Sequence, residues 1–105
     1  MTKQTTPTES QVTEALKTVF DPDIPVNIYD LGLIYAIDME DNGRIKVTMT
    51  LTNPNCPVAD DLVRQAKEAV EKLDGVSKAE IRLVFDPPWS KDNMSDAAML
   101  ELGML

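Results

Sequence analysis

Histidine is absent from this chain, and cysteine occurs once, at Cys56. These two gaps exclude much chemistry. No Cys-His pair can activate a nucleophile, and no Ser-His-Asp set can form. One thiol cannot furnish the three or four sulfur and nitrogen ligands that zinc and iron–sulfur sites ordinarily take. It also makes no internal disulfide, which fits a reducing compartment. Aromatic residues are scarce too, at 5% of the chain, so aliphatic side chains and methionines must fill the interior. A homodimer would add to the thin stability of so small a core. Basic residues are outnumbered by acidic ones, ten against 18, and the formal charge of −8 repels phosphate backbones and anionic headgroups. Nucleic acid and membrane are therefore poor partners. No run approaches the about 20 apolar residues that span a bilayer. The opening "MTKQTTPT" fits neither a secretory signal nor an Arg-rich transit peptide. The expectation is a soluble cytoplasmic protein. There is no Gly-rich phosphate loop and no basic stripe.

What is present reads as one domain, since 105 residues build a single core. Residues 1–7 are polar and Thr-rich and read as a disordered tail, leaving one domain over 8–105. Thr8 and Gln11 make a capping-box pattern, and Val12, Leu16, Val19 and Phe20 recur at helical spacing until "DPDIP" stops the helix. A Pro-rich connector follows from Asp21 to Asp30. Leu33, Tyr35, Ile37 and Met39 then alternate with their neighbours, Asp41-Asn42-Gly43 supplies turn chemistry, and Ile45, Val47, Met49 and Leu51 alternate again. That is a β-hairpin with one buried face. Ala59, Leu62, Ala66, Ala69, Val70 and Leu73 line one side of a second helix that ends at Gly75. Ala79, Ile81, Leu83 and Phe85 mark a third strand that prolines stop, and Ser95 caps a short last helix running through Leu102. The order α-β-β-α-β-α predicts an α+β fold, a two-layer sandwich with a small mixed sheet of three strands.

The lone cysteine sits in "TNPNCPVADDLVRQA", where a loop becomes the second helix. Pro57 suits the first helical position, because its missing N–H would be unpaired there and its φ is already helical. Cys56 thus falls at or just before the N-cap. The helix dipole favours thiolate there, the form that binds metal or attacks. Asp60 and Asp61 oppose that effect, and the nearest basic residue in sequence is Arg64. A small buried hydrophobe is the plain alternative. Any metal on Cys56 must take further ligands from a second protomer, a partner, a small thiol or nearby carboxylates.

Two other stretches stand out. "FDPDIPVNIYDLGLIY" concentrates Asp21, Pro22, Asp23, Pro25, Asn27, Asp30 and Gly32. These are turn formers, with Asn27 and Asp30 bonding local backbone and Gly32 supplying a φ that other residues avoid. The hairpin would also bring Asp30 near the Cys56 loop. "FDPPWS" holds the sole tryptophan, Trp89, which either covers the end of the sheet or is an exposed aromatic anchor. Met39, Met49 and Met99 sit at inward or helical positions. With Met94 and Met104 they read as core filling rather than soft-metal ligands.

Three motifs, "DPDIPVNIYDLGLIY", "VTMTLTNPNCPVADDL" and "LVFDPPWSKDNMSDAAMLELGML", occur in this order. Together they resemble the SufT/PaaD-like family of metal–sulfur cluster biosynthetic domains, related to the MIP-eighteen family. The likeness runs from about residue 10 onward. It implies an iron–sulfur-assembly type of α+β domain and a non-enzymatic factor that helps deliver or insert iron–sulfur clusters. The family's cysteine falls on Cys56, its Asp-Pro on Asp21 and Pro22, and its Asp-Leu-Gly on Asp30, Leu31 and Gly32. Asn55 stands where glycine is common, and asparagine tolerates the left-handed conformation. The PaaD branch typically carries a further Cys-rich C-terminal region, so its absence here favours the SufT-like branch.

The expectation is an accessory factor in which Cys56 transiently ligates a cluster or iron, with no cofactor held stably. Its partners would be cluster assembly proteins and recipient apo-proteins. Asp21, Pro22, Pro25, Asp30, Gly32, Asn55, Pro57 and Trp89 would shape loops or touch those partners. An adaptor with a structural cysteine is the alternative. A thiol enzyme stands third, for want of histidine.

Overall fold

The computed structural model describes residues 7–21, 24–52 and 59–103. Residues 1–6 of the expected tail lie outside that set, while Pro7 is buried. Helix α1 spans Glu9–Leu16. The Thr8 hydroxyl accepts the Gln11 N–H at 3.1 Å, and the Gln11 side chain accepts the Thr8 N–H at 2.8 Å, so the capping box closes in both directions. Val12 and Leu16 are fully buried. The helix ends earlier than its apolar spacing predicts. Thr18 and Val19 donate back to Ala15 and Leu16 in tight bonds of 3.1 Å, which satisfy terminal carbonyls. Beyond them the backbone turns extended. Ile28 N–H reaches the Val19 carbonyl, Asp21 N–H reaches that of Val26, and Phe20 bridges Asn27. Phe20 therefore leaves the helix face to which its spacing assigned it, and it is 54% exposed.

Strands β1 (Ile34–Met39), β2 (Arg44–Met49) and β3 (Lys78–Leu83) form a mixed sheet in the order β1-β2-β3. β1 and β2 run antiparallel. Asn42 and Gly43 make their connection possible by taking φ of 64° and 76°, the region where asparagine and glycine are least strained. β2 and β3 are parallel. A parallel pair needs a long crossover, which helix α2 (Ala59–Glu71) provides. Ile45, Val47 and Met49 of β2 point inward with Ala79 of β3, and Leu62, Ala66 and Val70 of α2 close over them with α1 behind. The opposite face stays open, with Asp38, Glu80 and Arg82 exposed and Lys46 half-buried. Helix α3 (Asp96–Glu101) completes the predicted α+β order.

Two details depart from simple alternation. The β1–β2 register shifts between Ile34 and Ala36, so Tyr35 is an extra residue without its own partner. β3 ends at Leu83, and Phe85, expected on the inner face, is 46% exposed. Proline cannot extend the ladder, and the chain leaves the sheet before Pro87 and Pro88. Met49 and Met94 are buried, and Met39 and Met99 pack at the margin of the core. Met104 lies outside the described residues. Among the described residues no helix is long and apolar enough to cross a membrane.

Leu62, 1% exposed, fixes α2 to the sheet. Leu62→Ala should lower unfolding free energy by about 2–5 kcal/mol, read from the urea midpoint at constant slope. An unchanged midpoint would contradict this packing.

Candidate functional site

The motif residues around Asp30 and those around Trp89 are far apart in sequence and meet in one cluster. Asn27 sets its shape. Its amide nitrogen donates to Asp30 Oδ2 at 2.8 Å while its amide oxygen accepts the Asp30 N–H at 2.8 Å. The other carboxylate oxygen of Asp30, Oδ1, accepts the Ser95 hydroxyl at 3.1 Å. The Asp30 carbonyl accepts the Ser95 N–H at 2.8 Å. Ser95 in turn caps α3, its Oγ accepting the Ala98 N–H at 3.1 Å. Asp30 thus positions the residue that starts the last helix.

Leu31 and Gly32 extend the same contact. Leu31 is fully buried, and its carbonyl accepts the Trp89 indole N–H at 2.7 Å. Gly32 has φ of 87°, and a Cβ there would collide with the backbone of Asn93. Both facts demand glycine. Tyr35, freed by the bulge, donates its hydroxyl to the Pro87 carbonyl at 2.7 Å and accepts the Asn93 amide at 3.4 Å. Residues 87–95 are therefore clamped along 30–35. Trp89 is half-buried against the core with its polar tip turned inward.

Asp21 is buried at 7% exposed, and its Oδ1 accepts the Ile24 N–H at 3.1 Å, which tightens the connector. Pro25 is exposed and, with Phe20, Val26, Asp30, Ala98 and Glu101, lines a cavity of about 330 Å³ between connector and α3. Pro22, Asn55, Cys56 and Pro57 lie outside the described residues. What borders Cys56 in the chain is described. On one side are Thr50 and Leu51, 1% and 3% exposed, with the Thr50 N–H on the Leu33 carbonyl at 2.8 Å. On the other side is the start of α2, where Asp61 in the first turn pairs with Arg64 in the next at 2.9 Å in an exposed bridge. Arg64 thus has a carboxylate of its own. The Thr50 hydroxyl is buried with no hydrogen-bond partner among the described residues. The hairpin does bring Leu33 beside Thr50, but the carboxylate of Asp30 finds its partners in Asn27 and Ser95. Among the described residues no three His, Cys, Asp or Glu side chains group as a metal site.

Sequence reasoning missed the Asp30–Ser95 bond. Each residue carried a local signal, Asp30 as a turn former and Ser95 as a cap, but nothing periodic links positions 65 apart.

Fold and site together define a small α+β domain whose motif loops are locked to its C-terminal segment. The model of the family described as iron–sulfur cluster assembly protein matches residues 9–83. A Porphyromonas gingivalis relative named Fe-S protein maturation auxiliary factor is 53% identical over 98 residues, 93% of each chain. The Fe-S protein maturation auxiliary factor YitW of Bacillus subtilis is 42% identical over 90 residues, 86% of this chain and 88% of its own. A domain of unknown function from Bacillus anthracis, solved by crystallography, is 35% identical with a TM-score of 0.86 over 92% of each chain. This chain belongs to the iron–sulfur cluster assembly protein family, as the SufT/PaaD-like resemblance implied. The clasp joins Asp30, within the matched stretch, to Ser95, beyond it.

Gly32→Ala should destabilise the domain by more than the about 1 kcal/mol of an ordinary glycine substitution, because strain and collision add. The emission of Trp89 should shift to the red as its segment loosens. Thermal melting with fluorescence checks both, and a wild-type emission maximum would show that the clamp does not need Gly32. Ser95→Ala, which removes the cap and one Asp30 bond, should cost about 0.5–2 kcal/mol by the same measurement.

Proposed function

We propose that this chain is an accessory factor in iron–sulfur protein maturation, working in the cytoplasm and helping to deliver or insert clusters into recipient proteins. The observation that carries this reading is the 53% identity, over 93% of both chains, to a relative named a maturation auxiliary factor. The cluster, or iron, is cargo. Cys56 supplies one transient ligand, and the remaining ligands come from the proteins on either side of the transfer.

The chemistry is ligand exchange rather than bond catalysis. A cluster needs several thiolates for stable attachment, so one thiol holds it weakly and releases it to a recipient that offers more. The chain around Cys56 supports presentation, because Thr50 and Leu51 on one side and Leu62 on the other are anchored in the core. The relatives' description as auxiliary factors supports an accessory role. Assembly proteins and recipient apo-proteins are then the partners. Asp21, Asp30 and Gly32 act by shaping the loops that meet them, together with Pro22, Asn55 and Pro57. Pro25 stands exposed as a contact. Trp89, with its indole N–H on the Leu31 carbonyl, belongs to the loop-shaping set.

Cys56→Ala should abolish rescue of iron–sulfur enzyme activity in a deletion strain while far-UV circular dichroism and the melting temperature stay at wild-type values. Full rescue by the variant removes Cys56 from the transfer. Anaerobic reconstitution with iron and sulfide should give visible absorbance with wild type and little with Cys56→Ser; equal absorbance would count against the thiol as ligand.

A further inference from the structure

β3 pairs with β2 on one side and forms an edge of the sheet on the other. The Val84 N–H points to β2, donating to the Met49 carbonyl at 2.8 Å. The Ala79 N–H points the opposite way, to Glu71 Oε2 on α2 at 3.2 Å. Backbone groups alternate sides along a strand, so the N–H and C=O of Ala79, Ile81 and Leu83 all face outward. Among the described residues the N–H groups of Ile81 and Leu83 meet no acceptor. Edges are usually blunted by charged side chains, proline, a bulge or a cover. Among the described residues β3 has no proline and no bulge, its register with β2 runs unbroken from Lys78 to Leu83, and the charges it carries alternate in sign. Its exposed side chains, Lys78, Glu80 and Arg82, lie on the open face of the sheet, and none of them takes part in an ion pair among the described residues.

We propose that β3 is a homodimer interface, in which two copies pair their β3 strands antiparallel about a twofold axis at Ile81. In that register Ile81 faces Ile81 of the second copy, Ala79 faces Leu83, and Glu80 faces Arg82. Outward groups then meet outward groups. The two Ile81 residues exchange N–H and C=O, each Leu83 N–H reaches an Ala79 carbonyl, and the Leu83 carbonyl takes the Ala79 N–H over from the exposed Glu71 side chain. On the open face Glu80 lies directly across from Arg82, and symmetry repeats the pair. Neighbouring registers fail. Centring on Glu80 sets Glu80 against itself and Lys78 against Arg82, and centring on Arg82 sets that cation against itself. Centring on Ala79 overlaps only Lys78, Ala79 and Glu80 of the strand, and centring on Leu83 overlaps Leu83 alone. A shift by half a step opposes outward groups to inward ones. The strand is thus complementary to its own reverse in one register, which commits the edge to a second copy of this chain. Two short edges bury less than the about 1,200 Å² of stable complexes, so the association is weak and concentration-dependent.

Sedimentation equilibrium of the full chain from about 1 μM to about 1 mM should show the mass rising from 11.6 kDa toward twice that value. Glu80→Arg or Arg82→Glu alone places like charges across the axis twice and should raise the dissociation constant about tenfold or more. The double swap E80R/R82E restores opposite charges and should bring it back to within about threefold of wild type. All three variants change exposed side chains, and circular dichroism checks that the monomer stays folded. A mass fixed at the monomer value, dissociation indifferent to the single reversals, or a double swap no better than either single change would each overturn the proposal. None of these readouts depends on Cys56, so they stand or fall apart from the maturation role.

Discussion

The carboxylate of Asp30 ties the connector after α1 to the C-terminal segment. One of its oxygens is held by Asn27, and the other holds Ser95. Through Ser95 it sets where α3 begins. Hydrogen bonds to a charged group contribute about 1.5–3 kcal/mol when the group is shielded, against about 1 kcal/mol for neutral pairs. The bonds also polarise one another along the chain from Asn27 to α3. Remove the carboxylate, and only the Trp89 and Tyr35 bonds and the Ser95 N–H on the Asp30 carbonyl are left to hold residues 87–95. The clamp is a network more than a set of separate contacts.

That network explains why so polar a connector can sit beside the core. Leu31 and Leu33 are buried on either side of Gly32, and their backbone must find partners away from water. The Trp89 indole supplies one at the Leu31 carbonyl, and the Thr50 N–H supplies the other at the Leu33 carbonyl. The second partner belongs to the stretch that leads into Cys56. The same short loop therefore joins the C-terminal segment and the approach to the thiol.

Much of this was legible in the sequence wherever periodicity speaks. The capping box at Thr8 and Gln11, the alternation of Ile45, Val47 and Met49, and the apolar stripe of Leu62, Ala66 and Val70 each fixed an element of the right kind. Boundaries were less legible. Phe20 continues the helical spacing of α1, yet backbone bonds from residues 26–28 pull its neighbours into an extended path. Phe85 continues the alternation of β3 past the point where prolines end it. The bulge at Tyr35 left no trace, because one extra residue changes no composition. The pairing of Asp30 with Ser95 was silent for a deeper reason: local propensity describes neighbours along the chain, and this bond is made by the topology. The motifs that point to the family, by contrast, were readable directly, since they record what the loops require.

The distance along the chain between Asp30 and Ser95 also sets a clock. A ribosome adding about 5–20 residues per second needs roughly 3–13 s to travel the 65 residues that separate them. In that interval the residues of the hairpin and of α2 are being added, and the carboxylate has no hydroxyl to hold. A nascent chain therefore offers an unfinished loop until Ser95 has been added and can close the bond to Asp30.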